Sequence, residues 1–533
     1  MVKEVDLHAA LVSESGKTPD SPLAVIDIGA TSMRMLVAQV DKDGQVHELE
    51  ALQQSVTLGK DTFTDGTIHY QSIEDCIVGL RNFLRILREY RLEADSPYVR
   101  VVATSAVREA SNQQAFLDRV YIATQLEVDV VDNAEVARFT YLGIRPFLGS
   151  APFSPRDASL LVEIGGGGTE VLGLAGRTVL FSHGERLGSL RVRQSSGDRQ
   201  TTEMEWHSLV ENQVRRIAEA TEAELPQKHA IRLVAMGGDA RFAARQLDPD
   251  WLGHEIVRLS VRDWRTLADD VLGSTPDELV QRYHLTYPAA ETLGPALFAY
   301  GLMAEIFKLK WIYVTGITMR DGVLAEIAKP NMWEGEFTKQ IIRSAQSLAH
   351  RYQVDMPHAE HVAKVARKLF TFLREEHGLG AHYELILTLA ALLHEVGLFV
   401  STSSHHKHSQ YLISNSEIFG LGRRSIEIVA QVARYHRRAE PKASHDAYSA
   451  LRRDERIAVS MLAAMLRVAD ALERSHTQRL GRLRFERQDD TLLITADGIT
   501  DIKYEEMALT EKSGLFEQVF GLRVMLTKGN SRK

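Results

Sequence analysis

Two stretches of this chain set a carboxylate, a run of small residues and hydroxyl side chains at the end of an apolar segment. They are Asp27-Ile28-Gly29-Ala30-Thr31-Ser32 and Glu163-Ile164-Gly165-Gly166-Gly167-Gly168-Thr169-Glu170. Each follows a short apolar run, Leu23 to Ile26 and Leu160 to Val162, that reads as a buried strand. Glycine lets the backbone turn tightly and bring its N–H groups up to a phosphate, and Thr or Ser hydroxyls add donors. Asp27 and Glu163 stand where a magnesium ion or an attacking water needs an anion. One such turn is ordinary hairpin chemistry. Two of them, each opening a similar half of the chain, point to a phosphate cleft between duplicated lobes.

The elements that must position these turns alternate between strand and helix. After a polar leader over residues 1–22, a first lobe spans residues 23–144. It carries two strands across the first turn (Leu23 to Val40), an amphipathic helix (Ser72 to Tyr90), a strand (Val99 to Ala103), a helix (Gln113 to Gln125), a strand (Leu126 to Val131) and a further helix from Ala134. Residues 145–156, with Pro146, Gly149, Ser150, Pro152, Ser154 and Pro155, read as a hinge linker. A second lobe over residues 157–329 restarts with strand, glycine turn and strand. It ends in a strand at Trp311 to Thr315 and a helix from about Arg320 to Ile327, which Lys329-Pro330-Asn331 stops. Residues 335–478 are almost wholly helical in pattern, and residues 480–530 return to short alternating runs, a small α+β domain.

At 533 residues the chain is too long for one core and divides into about three or four domains. A net charge of -8 argues against a dedicated binder of nucleic-acid duplex. The one cysteine, Cys76, falls among Ile73, Ile77, Leu80, Phe83, Leu84 and Leu87 and reads as a small buried apolar residue. No signal h-region opens the chain and no apolar run reaches membrane-spanning length, so a cytoplasmic protein without a membrane partner is expected.

The motifs together resemble the exopolyphosphatase and guanosine-pentaphosphate phosphohydrolase family. The resemblance rests on Val25-Ile26-Asp27-Ile28-Gly29, Val102 to Ala110, Ile164 to Glu170, Leu187-Gly188-Ser189-Leu190-Arg191, Met236-Gly237-Gly238 and Gly316 to Leu324, in the family's order. It implies an α/β, bilobal actin-like fold, the duplicated ribonuclease H-like architecture of sugar kinases and chaperone ATPases. By the same resemblance Asp27 would help hold Mg2+, for which Mn2+ could substitute. Gly29, Thr31, Ser32, Gly166, Gly167, Gly168 and Thr169 would cradle phosphate, and Arg108 would pair with phosphate oxygens as a fixed fork. The substrate would be inorganic polyphosphate or guanosine pentaphosphate, and a homodimer is expected.

Three positions depart from the family pattern. The family's catalytic glutamate falls at Val136, so its neighbour Glu135 and the strand-end Glu163 become the candidate catalytic bases. One step along a helix rotates a side chain by roughly 100 degrees, which separates Glu135 from that position. Glu163 itself replaces the usual aspartate, and Gly168 the usual serine.

The helical region is similar to the HD-type domain of longer family members, through Leu393 to Leu398, His408 to Ile413 and Arg434 to Arg437. That similarity implies a second divalent metal held by His358, His394, Glu395 and Asp470, with glutamate where the signature has aspartate. His405, His406 and His408 read as a polar loop. Arginines crowd this half (Arg423, Arg424, Arg434, Arg437, Arg438, Arg452, Arg453, Arg456, Arg474, Arg479, Arg482, Arg484), either as a polyanion track or as a solvated face paired with Glu427, Glu440, Asp454, Glu455 and Glu473. The expected function is Mg2+-assisted release of terminal phosphate. The competing readings are a polyanion-binding regulator without turnover, an actin-like kinase, and a nucleotide phosphohydrolase acting through the HD-type domain.

Overall fold

The first glycine turn joins two antiparallel strands, β1 (Leu23–Ile28) and β2 (Ser32–Val40), and β2 continues antiparallel into β3 (Val46–Ser55). On the other side of β1, β4 (Val99–Ala103) and β5 (Val128–Val130) add in parallel, giving the order β3-β2-β1-β4-β5. The second turn repeats the plan with β6 (Asp157–Ile164), β7 (Thr169–Ala175) and β8 (Thr178–Glu185) antiparallel. Then β9 (Ala230–Met236) and β11 (Trp311–Val314) follow in parallel, with the short β10 (Val257–Ser260) on the edge of β11. Removing β10, the orders β8-β7-β6-β9-β11 and β3-β2-β1-β4-β5 are the same, which is the duplication expected from the two turns.

This computed structural model describes residues 22–40, 46–195, 203–225, 229–253, 255–328, 335–437, 439–499 and 501–529. Residues 1–21 of the expected leader (1–22) and the Lys329-Pro330-Asn331 stop lie outside them, as does Arg438. The chain divides into two units, residues 1–330 and 331–533.

In the first unit strand alternation decides what each face does. Ala24, Ile26 and Ile28 enter one core with Ile73, Ile77, Leu80, Leu84 and Leu87 of the helix Tyr70–Glu89, where Cys76 is fully buried and its thiol pushed up to about 12 by that burial. Leu23 and Val25 face the opposite way, into a second core with Phe139, Met319, Val323 and Leu324. That core is closed by two helices, Asn133–Ile144 and Met319–Ala328. The latter follows β11 in the chain but packs on the first sheet, because its apolar residues match the outer face of β1. Leu160, Val162 and Ile164 of β6 enter a third core around Trp264 and Tyr300. The hinge residues are packed: Phe147, Leu148 and Phe153 are buried, and Ser159 donates to the Pro152 carbonyl at 2.8 Å.

The second unit holds helices Glu336–Arg351, Met356–Phe372, Ala381–Leu393, His405–Ser414, Arg423–Arg434 and Arg453–Leu472, and a sheet of β12 (Leu483–Gln488), β13 (Thr491–Ala496) and β14 (Arg523–Lys528) with helices Lys503–Lys512 and Gly514–Phe520. The polar loop expected around His405, His406 and His408 is instead the start of a helix. Ser409 fixes that helix by donating to the His394 carbonyl (2.7 Å) and accepting from the Gly397 N–H (3.0 Å). The stretch Ala381–Phe399 also reaches membrane-spanning length and hydropathy, contrary to the expectation that no apolar run does; 67% of it is buried inside the fold, as in a core helix.

The crossing of helices Asn133–Ile144 and Met319–Ala328 depends on Gly322, where any β-carbon would overlap the Phe139 carbonyl oxygen. Gly322→Ala is expected to destabilise the first unit by about 1–3 kcal/mol, the cost of overpacking a close contact. Thermal denaturation of the purified variant checks it, since an unchanged Tm would mean the helices separate freely.

Candidate functional site

The ends of β1 and β6, with their glycine turns, face one another across a cleft of about 790 Å³. Gly29, Thr31, Ser32, Arg108, Gly166, Gly167 and Gly168 all line it, as do Asp27 and Glu163. Asp27 continues the face of Leu23 and Val25, so its carboxylate meets Arg320 at the start of the helix Met319–Ala328, 3.3 Å away. Glu163 lies opposite the core face of β6 and beside the Met236–Gly237 turn, in register with Met236 of β9. Gly237 has φ +89, and a β-carbon there would stand 3.3 Å from the Glu163 carboxylate. Glycine at this position lets the turn close over the acid. Below, the Tyr300 hydroxyl accepts from the Ile164 N–H (2.8 Å) and donates to the Met236 carbonyl (2.7 Å), pinning the ends of β6 and β9 together.

Sequence reasoning missed Arg34, Asp239 and Arg241, and gave no role to Arg320. Arg34 shares the β2 face of Ser32. Asp239 and Arg241 follow the Gly237-Gly238 turn on the helix Gly237–Leu247. A charged residue within five positions of Gly29, Gly238 and Gly316 (Arg34, Asp239 with Arg241, and Arg320) was the available signal. Together with Asp27 and Glu163 they form a cluster of three carboxylates and three guanidiniums. Burial raises the Glu163 carboxyl above the usual range, with Asp27 adding to the push and Arg241, Arg34 and Arg320 opposing it. Burial likewise raises Asp239 to about 6 against Arg34 and Arg241, Glu163 adding to it. Arg241 is lowered to about 10 by burial and then by Arg320 and Arg34. Among the described residues its Nη1 is buried without a hydrogen-bond partner.

Two expected residues are placed elsewhere. Glu135 completes a capping box: its N–H donates to Asp132 (2.9 Å), and its carboxylate accepts from the Asp132 N–H (3.2 Å). It is not among the cleft-lining residues, whereas Val136 is, packed with Phe139 and Met319. Thr169 is fully buried and its hydroxyl donates to the Leu187 carbonyl at 2.5 Å, which takes it out of the cradle. Arg108 is held as a fixed fork by the Val131 carbonyl (2.6 Å) and Asn133 Oδ1 (2.7 Å), two of the five donors a guanidinium carries. Magnesium is usually held by one or two carboxylates plus substrate phosphates, and Asp27 and Glu163 fit that requirement.

In the second unit His358, His394 and Asp470 come together, with Glu395 and His476 beside His358. Asp470 Oδ1 is 3.8 Å and Glu395 Oε2 3.9 Å from His358 Nε2. His394 donates from Nδ1 to the Ala391 carbonyl (2.7 Å), which leaves Nε2 as the free lone pair, the arrangement a metal-bound imidazole has. Burial lowers His358 to about 4 and also lowers His394. These donors fit a divalent metal in type and spacing. Of the clustered arginines, Arg424 pairs with Glu455, Arg452 with Asp454 and Glu455, Arg479 with Glu505, Arg484 with Asp497, and Arg434 bonds Gln410. Local pairing accounts for these.

The sequence matches the Ppx/GppA phosphatase family over residues 36–330, and domain III of Ppx/GppA phosphatases over residues 342–512. It is 23% identical over 440 residues to a guanosine-5'-triphosphate,3'-diphosphate pyrophosphatase of Vibrio parahaemolyticus, covering 80% of this chain and 82% of that protein. To the protein of the same name from Pseudoalteromonas translucida it is 22% identical over 502 residues, covering 90% and 92%. Among solved structures, an exopolyphosphatase from Cytophaga hutchinsonii aligns with a TM-score of 0.52 at 22% identity, covering 58% of this chain and 98% of that one. That likeness, with the two repeated sheets, is one of fold: bilobal and actin-like.

The raised Asp239 carboxyl makes a signed prediction. Its stability contribution is present below the unfolded value of 3.8 and lost as pH rises through about 6, because the folded state holds the proton more tightly. Relative to wild type, Asp239→Asn is therefore expected to gain about 2–3 kcal/mol between pH 4 and pH 8. Chemical denaturation at the two pH values checks it, and a pH-independent difference contradicts it.

Proposed function

The chain belongs to the Ppx/GppA phosphatase family, and from that premise we propose that the cleft of its first unit hydrolyses the terminal phosphoanhydride of a polyphosphate-like chain. The observation that carries this reading is the buried Nη1 of Arg241, without a hydrogen-bond partner among the described residues, beside Arg34 and Arg320. A guanidinium nitrogen without an acceptor lacks the hydrogen bond that a phosphate oxygen would supply. Backbone N–H groups of the two glycine turns add donors from both lobes. Magnesium, held by Asp27 and Glu163, would supply charge neutralisation on the phosphate oxygens.

In this reading water attacks the terminal phosphorus, its proton passes to the Glu163 carboxylate, and the bond from phosphorus to the bridging oxygen breaks. The products are inorganic phosphate and a chain one phosphate shorter. Arg34, Arg241 and Arg320 balance the charge that spreads over the oxygens, the main contribution a protein makes to phosphoryl transfer. Burial raises the Glu163 carboxyl above the usual carboxylate range, the direction a proton acceptor requires.

The far wall of the cleft favours the guanosine substrate. Phe242, Tyr283, Leu285, Pro288 and Leu293 line it, with the Phe242 and Tyr283 rings edge to face at 5.0 Å. Inorganic polyphosphate has nothing to place against such a surface, whereas a base and ribose would cover it.

Glu163→Gln is expected to slow phosphate release by about 10²–10⁴, the usual worth of a general base. Glu135→Gln keeps an acceptor for the Asp132 N–H, so it should change stability by less than about 0.5 kcal/mol and leave turnover within about twofold. Steady-state phosphate release in Mg2+ separates the two; the converse pattern, or loss in both, rejects the assignment. In the same assay Tyr283→Ala is expected to lower kcat/KM for guanosine pentaphosphate about tenfold, the scale of one lost base-stacking contact, and to leave polyphosphate unchanged. Equal effects on both substrates would reject the nucleoside wall.

A further inference from the structure

The His358–His394–Asp470 cluster of the second unit already contains one cation. Asp470 divides its two oxygens: Oδ2 forms an ion pair with the Lys512 ammonium, and Oδ1 faces His358 Nε2. Lys512 ends the helix Lys503–Lys512 and is buried, as is Asp470 on the helix Arg453–Leu472. On the other side, both ring nitrogens of His358, Nε2 of His394 and Oε2 of Glu395 are buried without a hydrogen-bond partner among the described residues. Donor atoms that share an ion at about 2.0–2.2 Å lie some 3–4 Å from one another; His358 Nε2 and Asp470 Oδ1 are 3.8 Å apart, and the donor atoms of His358, His394 and Asp470 all lie within 4.8 Å of one another.

We propose that Lys512 is a built-in competitor for this site: its ammonium neutralises Asp470 when no ion is bound and sets a weak, exchangeable affinity for a divalent transition-metal ion held by His358, His394 and Asp470. A buried carboxylate needs a counter-charge for the unit to fold, and the ammonium supplies it without metal. With the histidines neutral, Asp470 and Glu395 bring two negative charges and Lys512 returns one positive charge. A divalent ion entering the cluster meets the full attraction of the carboxylates minus the repulsion of an ammonium one carboxylate away. Removing that ammonium strengthens ion binding and makes the fold depend on the ion. This inference stands independently of hydrolysis in the first unit.

The test is equilibrium competition for Zn2+ against a chromophoric chelator, on the full chain, with Co2+ visible absorption as a second readout. Lys512→Met is expected to bind one Zn2+ about 10–100-fold more tightly than wild type, the range that outer partners of metal ligands exert. Lys512→Arg, which keeps the charge, should stay within about threefold, well inside the effect of an outer partner. His394→Ala should lose the Co2+ band and the tight binding. Should Lys512→Met fail to fold alone, adding Zn2+ should restore its folding. Unchanged or weaker binding in Lys512→Met, no binding to either protein, binding that survives His394→Ala, or a Lys512→Met chain that stays unfolded in excess Zn2+ overturns the proposal.

Discussion

Three carboxylates and three guanidiniums, brought together where two sheets end, constrain everything else in the first unit. Asp27, Glu163 and Asp239 are poorly solvated, and each would cost several kcal/mol if left alone there. Arg34, Arg241 and Arg320 offset them but are themselves crowded, which is why burial pulls Arg241 down while it pushes Glu163 and Asp239 up. The cluster is balanced in formal charge and incomplete in hydrogen bonding. A polyanion bringing acceptor oxygens, together with a cation, changes both sums at once.

Keeping such a cluster in place explains features that carry no charge. The Tyr300 hydroxyl ties the ends of β6 and β9, which fixes Glu163 relative to the Gly237 turn. Alternation along β1 sends its even-numbered residues into one core and Asp27 toward Arg320, so one strand both holds the sheet and aims the acid. Arg191 spans the lobes, donating to both oxygens of Glu109 at 2.9 Å and to the Gly167 carbonyl at 3.0 Å. The glycine turn of the second lobe is thereby anchored to the first.

Much of this was legible in the sequence because it is local. The strand–turn–strand pattern around Gly29 and Gly165 gave the duplication, and the strand Val99–Ala103 matches the expected bounds. What escaped was tertiary. The strand Val46–Ser55 is polar and largely exposed on a sheet edge, so no period marks it. Glu135 looked like a catalytic neighbour because adjacency in sequence says nothing about which side of a helix start faces a cleft; its carboxylate turns back to the Asp132 N–H. Thr169 carries the hydroxyl expected of a phosphate cradle, yet strand pairing buries it against Leu187. Of the apolar wall, Tyr283, Leu285, Pro288 and Leu293 lie more than a hundred positions from Gly165–Gly168, and no local signal joins them.

The central claim, that the first unit's cleft directs water onto a terminal phosphorus, is tested most directly in ¹⁸O-enriched water. Phosphate released by the full chain in Mg2+, from polyphosphate and from guanosine pentaphosphate, is examined by mass spectrometry. The account predicts one solvent oxygen in each released phosphate and none in the shortened chain. Unlabelled phosphate, label retained in the remaining chain, or tight binding of both compounds without release would contradict it.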